Sequence, residues 1–267
     1  MGIYFKISEK LVNKCTRELR TSNPKELIPV SVVMPVFNEE GIIERTVRDF
    51  YSEIVLHIHG SEMVIVDDCS TDKSPEILEK LAEELPGIRI LRPAKNGGHG
   101  KALRLAFENV KCDLIFHTDS DYQNDPKDFW NLYEEIEESD FVIGYRAVRH
   151  DPLPRLVVTR LVRLVNLVLF GFHIRDANSP FKLIRRSCLE ECLKEIDPEV
   201  FAPSILLAVT ASWKGYRLKE VPVTHLPRRT GRVSIVKWKL IIACLRTLRE
   251  IYELRKGLIK ANRHNEL

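Results

Sequence analysis

Asp119-Ser120-Asp121 is the segment of this 267-residue chain with the most chemical potential. It follows an apolar run, Leu114 to His117, that reads as a buried strand. If the backbone stays extended, the two carboxylates face the same way. Side by side they repel by roughly a few kcal/mol at protein-like dielectric, and a cation between them removes that cost. Oxygen-only ligation suits Mg²⁺ or Mn²⁺, which bind through one or two carboxylates plus substrate phosphates. Gln123, two residues further on, offers a third oxygen. The competing reading is a solvated turn; the position directly behind a buried strand favours the metal.

Other polar clusters are less specific. Asp67-Asp68 also follows an apolar strand, and one of the two suits hydrogen bonds from a base or a ribose. Equally, this turn serves the next helix, with Ser70 or Asp72 placed to cap it. Asn96-Gly97-Gly98-His99-Gly100-Lys101 fails the P-loop spacing, with Lys95 and Ala102 at the wrong places. Its glycines are expected to shape a turn that brings the following helix close to the sheet. His57, His59, His99, His117 and His150 share no metal-binding spacing, so core or surface roles are the expectation. The six cysteines form no C-x-x-C pair and read as free thiols.

The elements that must position these groups follow from hydropathy. Strands are expected at Val30 to Met34, Met63 to Val66, Ile88 to Leu91, Leu114 to His117 and Phe141 to Ile143. Helices are expected at Glu39 to Ile58, Ser74 to about Leu85, Gly100 to Asn109 and Pro126 to Glu138. Strands alternating with helices imply an α/β fold with a Rossmann-like, mostly parallel sheet covered on both faces. Ligands then bind beyond the carboxyl ends of the strands, where the acidic clusters lie. Further strands are expected at Pro180 to Ile184 and Arg217 to Thr224. Residues 1–28 read as an N-terminal appendage, 29–233 as the main domain and 234–267 as a C-terminal amphipathic basic helix.

Composition narrows the class. Charged residues make up 30% and hydrophobic ones 44%, as in a folded protein. A net charge of +3 gives no reason to expect nucleic acid. The N-terminus carries no apolar signal-peptide core, and the charge-free run Val200 to Trp213 is too short for a membrane span of ~20 residues. The reading is therefore cytoplasmic. Residues 153–172 and 234–256 mix Leu, Ile and Val with Arg and Lys, as helices lying on a membrane surface do. Peripheral contact with the cytoplasmic membrane face competes there with packing against a second copy or a membrane-anchoring partner.

Several motifs in order resemble family 2 glycosyltransferases of GT-A fold. They are Pro35-Val36-Phe37-Asn38-Glu39, Val66 to Asp72, Asn96 to Ala102, and Asp119-Ser120-Asp121-Tyr122-Gln123. The later part is similar to the dolichol- or polyprenyl-phosphate sugar transferases, through Ile143-Gly144-Tyr145-Arg146, Arg160, Asp176 to Leu183, and Arg228 to Ser234. The resemblance implies a nucleotide-sugar pocket of Pro35, Phe37, Asn38, Glu39, Val66, Asp68, Asp119, Ser120 and Arg146. It implies a metal on Asp119, Asp121 and Gln123, phosphate or acceptor contacts from Arg160, Arg228, Arg229 and Ser234, and catalytic roles for Asp176 and Arg228. Two departures stand out: Pro180 replaces the glycine of D-x-x-S-G-F, and Ser234 lies one residue late in R-x-x-G-x-S.

The resemblance implies transfer of a sugar from a nucleoside diphosphate to a lipid phosphate, mostly with inversion. A phosphate monoester is largely ionised at pH 7, with a second pKa of ~6, and needs little help from a base. Asp176 then orients the sugar or acceptor; with a hydroxyl acceptor it is the candidate base. The rivals are transfer to a hydroxyl, a catalytically silent nucleotide-sugar-binding subunit, and a nucleotidyltransferase. The last usually carries a Gly-rich basic loop where this chain has Phe37-Asn38-Glu39-Glu40.

Overall fold

The structure, a computed structural model, describes residues 26–147, 153–227 and 237–265. Within its helices the side chains of 153–160, 162, 237–241 and 261–265 are outside the description. So are Arg228, Arg229 and Ser234, the side chain of Arg160, and all but the end of the expected appendage.

The described chain forms β1 (Val30–Val36), α1 (Ile43–Phe50), β2 (Glu62–Asp67), α2 (Ser74–Glu84), β3 (Ile88–Leu91), α3 (His99–Glu108) and β4 (Leu114–His117). It continues with α4 (Phe129–Glu135), β5 (Phe141–Arg146), α5 (Leu153–Phe170), β6 (Lys182–Arg185), α6 (Arg186–Lys194), α7 (Pro203–Trp213), β7 (Leu218–Val223) and α8 (Lys237–Asn265). The seven strands make one sheet in the order β3-β2-β1-β4-β6-β5-β7. All pairings are parallel except those of β6, which runs antiparallel to β4 and β5. The expected α/β fold, mostly parallel and helix-covered, is the one found.

Strand alternation divides the core into two layers. Val33, Val64, Val66, Ile115, Phe141, Ile143 and Ile184 face the layer covered by α3, α6, α7 and α8. Val32, Met34, Met63, Ile65, Phe116, Val142 and Leu183 face the layer under α1, α2 and α4. The charge-free run is α7, buried from Pro203 to Ala211, as a helix apolar on all sides must be.

Two helices differ from expectation at their boundaries. Helix α1 begins at Ile43 rather than Glu39, because side chains of a distant loop take the preceding amides. Asn38, Glu39 and Glu40 donate their N–H groups to Ser70 Oγ, Ser74 Oγ and Asp72 Oδ2, at 3.0, 2.9 and 3.0 Å. Its end then widens into a π-turn, Tyr51–Val55, which keeps Tyr51 and Ile54 on the buried face. The expected helix at Pro126 opens as a 3₁₀ turn, Pro126–Asp128.

Direction decides where the site lies. The carboxyl ends of β1, β2, β4, β5 and β7 share one edge of the sheet. Because β6 runs the other way, the segment that precedes it, with Asp176 to Phe181, arrives at that same edge.

Candidate active site

The loop after β4 is anchored from behind by α1. Thr46 Oγ1 donates to the carbonyl of Ser120 at 3.1 Å, and Tyr122 Oη to Asp49 Oδ2 at 2.5 Å. The Arg45 guanidinium lies 4.5 Å from the centre of the Tyr122 ring. Burial and the Asp49 hydrogen bond push the Tyr122 hydroxyl above its usual range. Tyr122 has a φ of 57°, so the segment turns at this residue instead of staying extended. The expected i, i+2 register is therefore broken by a turn between Asp121 and Gln123. In it the Gln123 N–H donates to Asp121 Oδ1 at 3.2 Å.

Gln123 is also tied to the segment after β7. The Leu226 N–H donates to the Gln123 carbonyl at 2.8 Å, and Gln123 Nε2 lies 3.5 Å from His225 Nε2. His225 belongs to no sequence motif and reaches Gln123 through the bridge that its backbone forms with Asn124.

Asp119 has one buried oxygen, Oδ1, with no hydrogen-bond partner. A carboxylate oxygen held this way suits a cation, and the oxygens that Asp121 and Gln123 carry two and four residues further along the chain are of the kind that Mg²⁺ and Mn²⁺ prefer. Oδ1 also lies 3.9 Å from Nε2 of His117. His117 is fully buried, and neither of its ring nitrogens has a hydrogen-bond partner. Burial, with Lys182 and His99 nearby, pushes its pKa well below the usual histidine range, so the ring is neutral. An unpaired buried polar group costs about 1–3 kcal/mol. His99, exposed at the start of α3, has its ring centre 6.4 Å from that of His117. Sequence spacing gave no sign of this meeting, which depends on α3 packing across the end of β4.

The two other strand ends interlock. Asn38, at φ 55°, accepts the Thr71 N–H on its Oδ1 at 2.7 Å, and Glu40 accepts the Lys73 N–H at 2.9 Å. Phe37, directly after β1, remains 48% exposed. Pro35 and Val66 face each other in the β1–β2 ladder, buried next to the carboxyl ends of their strands. Asp67 accepts from the Ser70 N–H and from Arg92. Asp68 accepts the N–H groups of Gly97 and Gly98, at 2.8 and 2.7 Å, on its two oxygens. It therefore organises the glycine turn. Gly98 takes φ 80°, and a Cβ on Gly100 would sit 2.7 Å from the carbonyl oxygens of Val200 and Phe201. Only glycine lets α3 approach so closely. Lys101 is paired with Glu199 at 2.6 Å.

On the far side, Arg146 at the end of β5 binds Asp176 through two hydrogen bonds, of 2.8 and 3.1 Å. Asp176 is 1% exposed. Glu220 on β7 accepts the Arg175 N–H at 2.7 Å, fixing the loop just before it. Lys182, fully buried, donates to the carbonyls of Ala177 and Ser179 and to Ser204 Oγ. Burial pulls its pKa down to about 7. Arg146, expected on a phosphate, is thus engaged by Asp176, the residue expected to be catalytic.

The sequence model of glycosyl transferase family 2 matches residues 31–193. The chain belongs to that family. The expected glycosyltransferase of GT-A fold is accordingly what the fold and the family both give. Among its relatives, a dodecaprenyl-phosphate galacturonate synthase of Rhizobium johnstonii is 29% identical over 79% of this chain. An undecaprenyl-phosphate 4-deoxy-4-formamido-L-arabinose transferase of Yersinia enterocolitica is 29% identical over 85% of this chain. The matches span 63% and 70% of those two proteins. A mannosyltransferase of Pyrobaculum calidifontis, solved with GDP-Man and Mn²⁺, is similar in fold: TM-score 0.56, 20% identity, 86% of this chain and 66% of that one. So is glucosyl-3-phosphoglycerate synthase of Mycobacterium tuberculosis with Mn²⁺ and UDP-Glc: TM-score 0.62, 19% identity, 86% of this chain and 79% of that one.

Proposed function

We propose that this glycosyltransferase moves a sugar from a nucleoside-diphosphate sugar to a polyprenyl phosphate, with Mg²⁺ or Mn²⁺ at Asp119, Asp121 and Gln123. The reading rests above all on one observation: the strand end bearing Asp119 and the loop bearing Asp176 meet at the same sheet edge. The names of the two polyprenyl-phosphate transferases support the acceptor class.

The residues divide the work. Asp119, Asp121 and Gln123 would hold the cation, which when bound neutralises charge developing on the departing diphosphate. Phe37, Asn38 and Glu39 form the mouth on the donor side. Asp68 is proposed to contact the base or ribose from the glycine turn that it fixes. Asp176 has both oxygens committed to Arg146, which suits a positioning role better than that of a base. An acceptor that ionises without help, such as a phosphate monoester, fits that arrangement better than a hydroxyl. Arg160, Arg228, Arg229 and Ser234 remain the proposed acceptor contacts, with Arg228 the proposed catalytic arginine.

The three-part organisation at 1–28, 29–233 and 234–267 is proposed likewise, as is cytoplasmic placement against the membrane surface. Supporting the latter, α5 exposes Leu161, Leu164, Leu167 and Val168, and α8 exposes Ile242, Leu245 and Tyr252. No helix among the described residues is long and apolar enough to cross a membrane. A test is incubation of the purified chain with labelled nucleotide sugars, polyprenyl phosphate and Mn²⁺. Metal-dependent label in the organic phase is expected; label entering only water-soluble glycan would refute the lipid-phosphate acceptor.

A further inference from the structure

Strand alternation turns His117 away from the Phe116 layer and toward α3, where its ring meets the edge of Phe107 at 5.8 Å. The first residue of α3 is His99, and two residues beyond His117 comes Asp119. One donor atom from each of these three side chains lies within 4.8 Å of the others. At 3.9 Å, His117 Nε2 and Asp119 Oδ1 are too far apart for a hydrogen bond, and each lacks one. Three donors thus converge on a space without bonding one another.

We propose that His99, His117 and Asp119 form a second divalent-cation site, selective for a nitrogen-preferring first-row transition metal such as Zn²⁺ or Co²⁺. Two imidazoles and one carboxylate are the donor set that such ions favour, whereas Mg²⁺ favours oxygen alone. Metal–ligand bonds of about 2.0–2.2 Å put tetrahedral donors ~3.4 Å apart, so separations of up to 4.8 Å must close, the widest by roughly an ångström or more. His99 is exposed and free to make that adjustment, while His117 is fixed by burial. Lys182, opposite His117 across the β4–β6 ladder, directs its ammonium to the carbonyls of Ala177 and Ser179 and to Ser204. Asp119 belongs to this set and to the proposed oxygen-only set, while Asp121 and Gln123 belong only to the latter.

The site stands independently of the transfer reaction, and its test reads binding. Full-length, untagged, metal-stripped protein is titrated with Co²⁺ without nucleotide, following the visible ligand-field bands and calorimetric heat. One equivalent with nitrogen-ligated spectra is expected. His99→Ala, at an exposed position, should weaken binding at least tenfold, and His99→Gln should do the same. Asp121→Asn should leave it unchanged. Absence of uptake by the wild type overturns the proposal. So does binding that survives His99→Ala but is lost in Asp121→Asn, which would place Co²⁺ in the oxygen-only set.

Discussion

Arg146 grips both carboxylate oxygens of Asp176, its Nε 2.8 Å from Oδ2 and its Nη2 3.1 Å from Oδ1. The arginine ends β5 and the aspartate lies in the loop before β6, so the pair ties two strands where the crevice opens. With side-chain exposures of 13% and 1%, water screens the pair little. Removing one partner strands a buried charge at a cost of about 3–5 kcal/mol. Arg146→Met is therefore expected to lower the unfolding free energy by that amount in urea titrations. The double variant Arg146→Met/Asp176→Leu should recover part of it. A single variant as stable as the wild type would mean that the pair contributes nothing.

Asp121→Ala should abolish transfer and leave the fold unchanged, because its backbone turn is held by Thr46 and Tyr122 rather than by its carboxylate alone. Circular dichroism and the melting temperature check the fold, and product extraction checks the activity. Metal-dependent turnover surviving in this variant would remove Asp121 from the metal set.

Asp68→Ala deletes the acceptor for the Gly97 and Gly98 amides. Hydrogen bonds to a charged group are worth about 1.5–3 kcal/mol. The variant should melt several degrees lower, with faster hydrogen exchange at those two amides. If Asp68 instead served only a nucleotide, exchange there would not change while donor affinity fell.

Lys182 gives stability a pH dependence. Its pKa is about 7 when folded, against 10.5 for the ordinary side chain. Below pH 7 both states hold the proton, and the contribution is constant. Above it the unfolded chain holds a proton that the folded protein has released, so stability rises with pH by up to ~1.4 kcal/mol per unit. Lys182→Met should be less stable, with two buried carbonyls losing a donor, and should flatten the rise between about pH 7 and 8.5. Denaturant titrations across that range give the two slopes, and equal slopes would mean that Lys182 stays charged.

Much of the sheet could be read from the sequence because β-branched runs ending in acids mark strands with functional ends, as at Met63 to Asp67. The direction of β6 could not, since parallel and antiparallel strands share the same two-residue period. The start of α1 was hidden because Ser70, Asp72 and Ser74 capture its amides from a distant loop. The same limit applied to Asp68: a carboxylate after a strand looks free until the glycine turn closes on it. His99 and His117 came together only through the packing of α3, which no local spacing encodes.

The reversal of β6 separates two kinds of change. The loop before it approaches the crevice from the opposite direction to the strand ends that carry Asn38, Asp68 and Asp119. Residues between α5 and β6 can lengthen, shorten or exchange proline for glycine without altering the β1–β2–β4 register. Under the proposed reaction, a lineage could thus acquire a different recipient by rewriting one loop, leaving the proposed donor side as inherited.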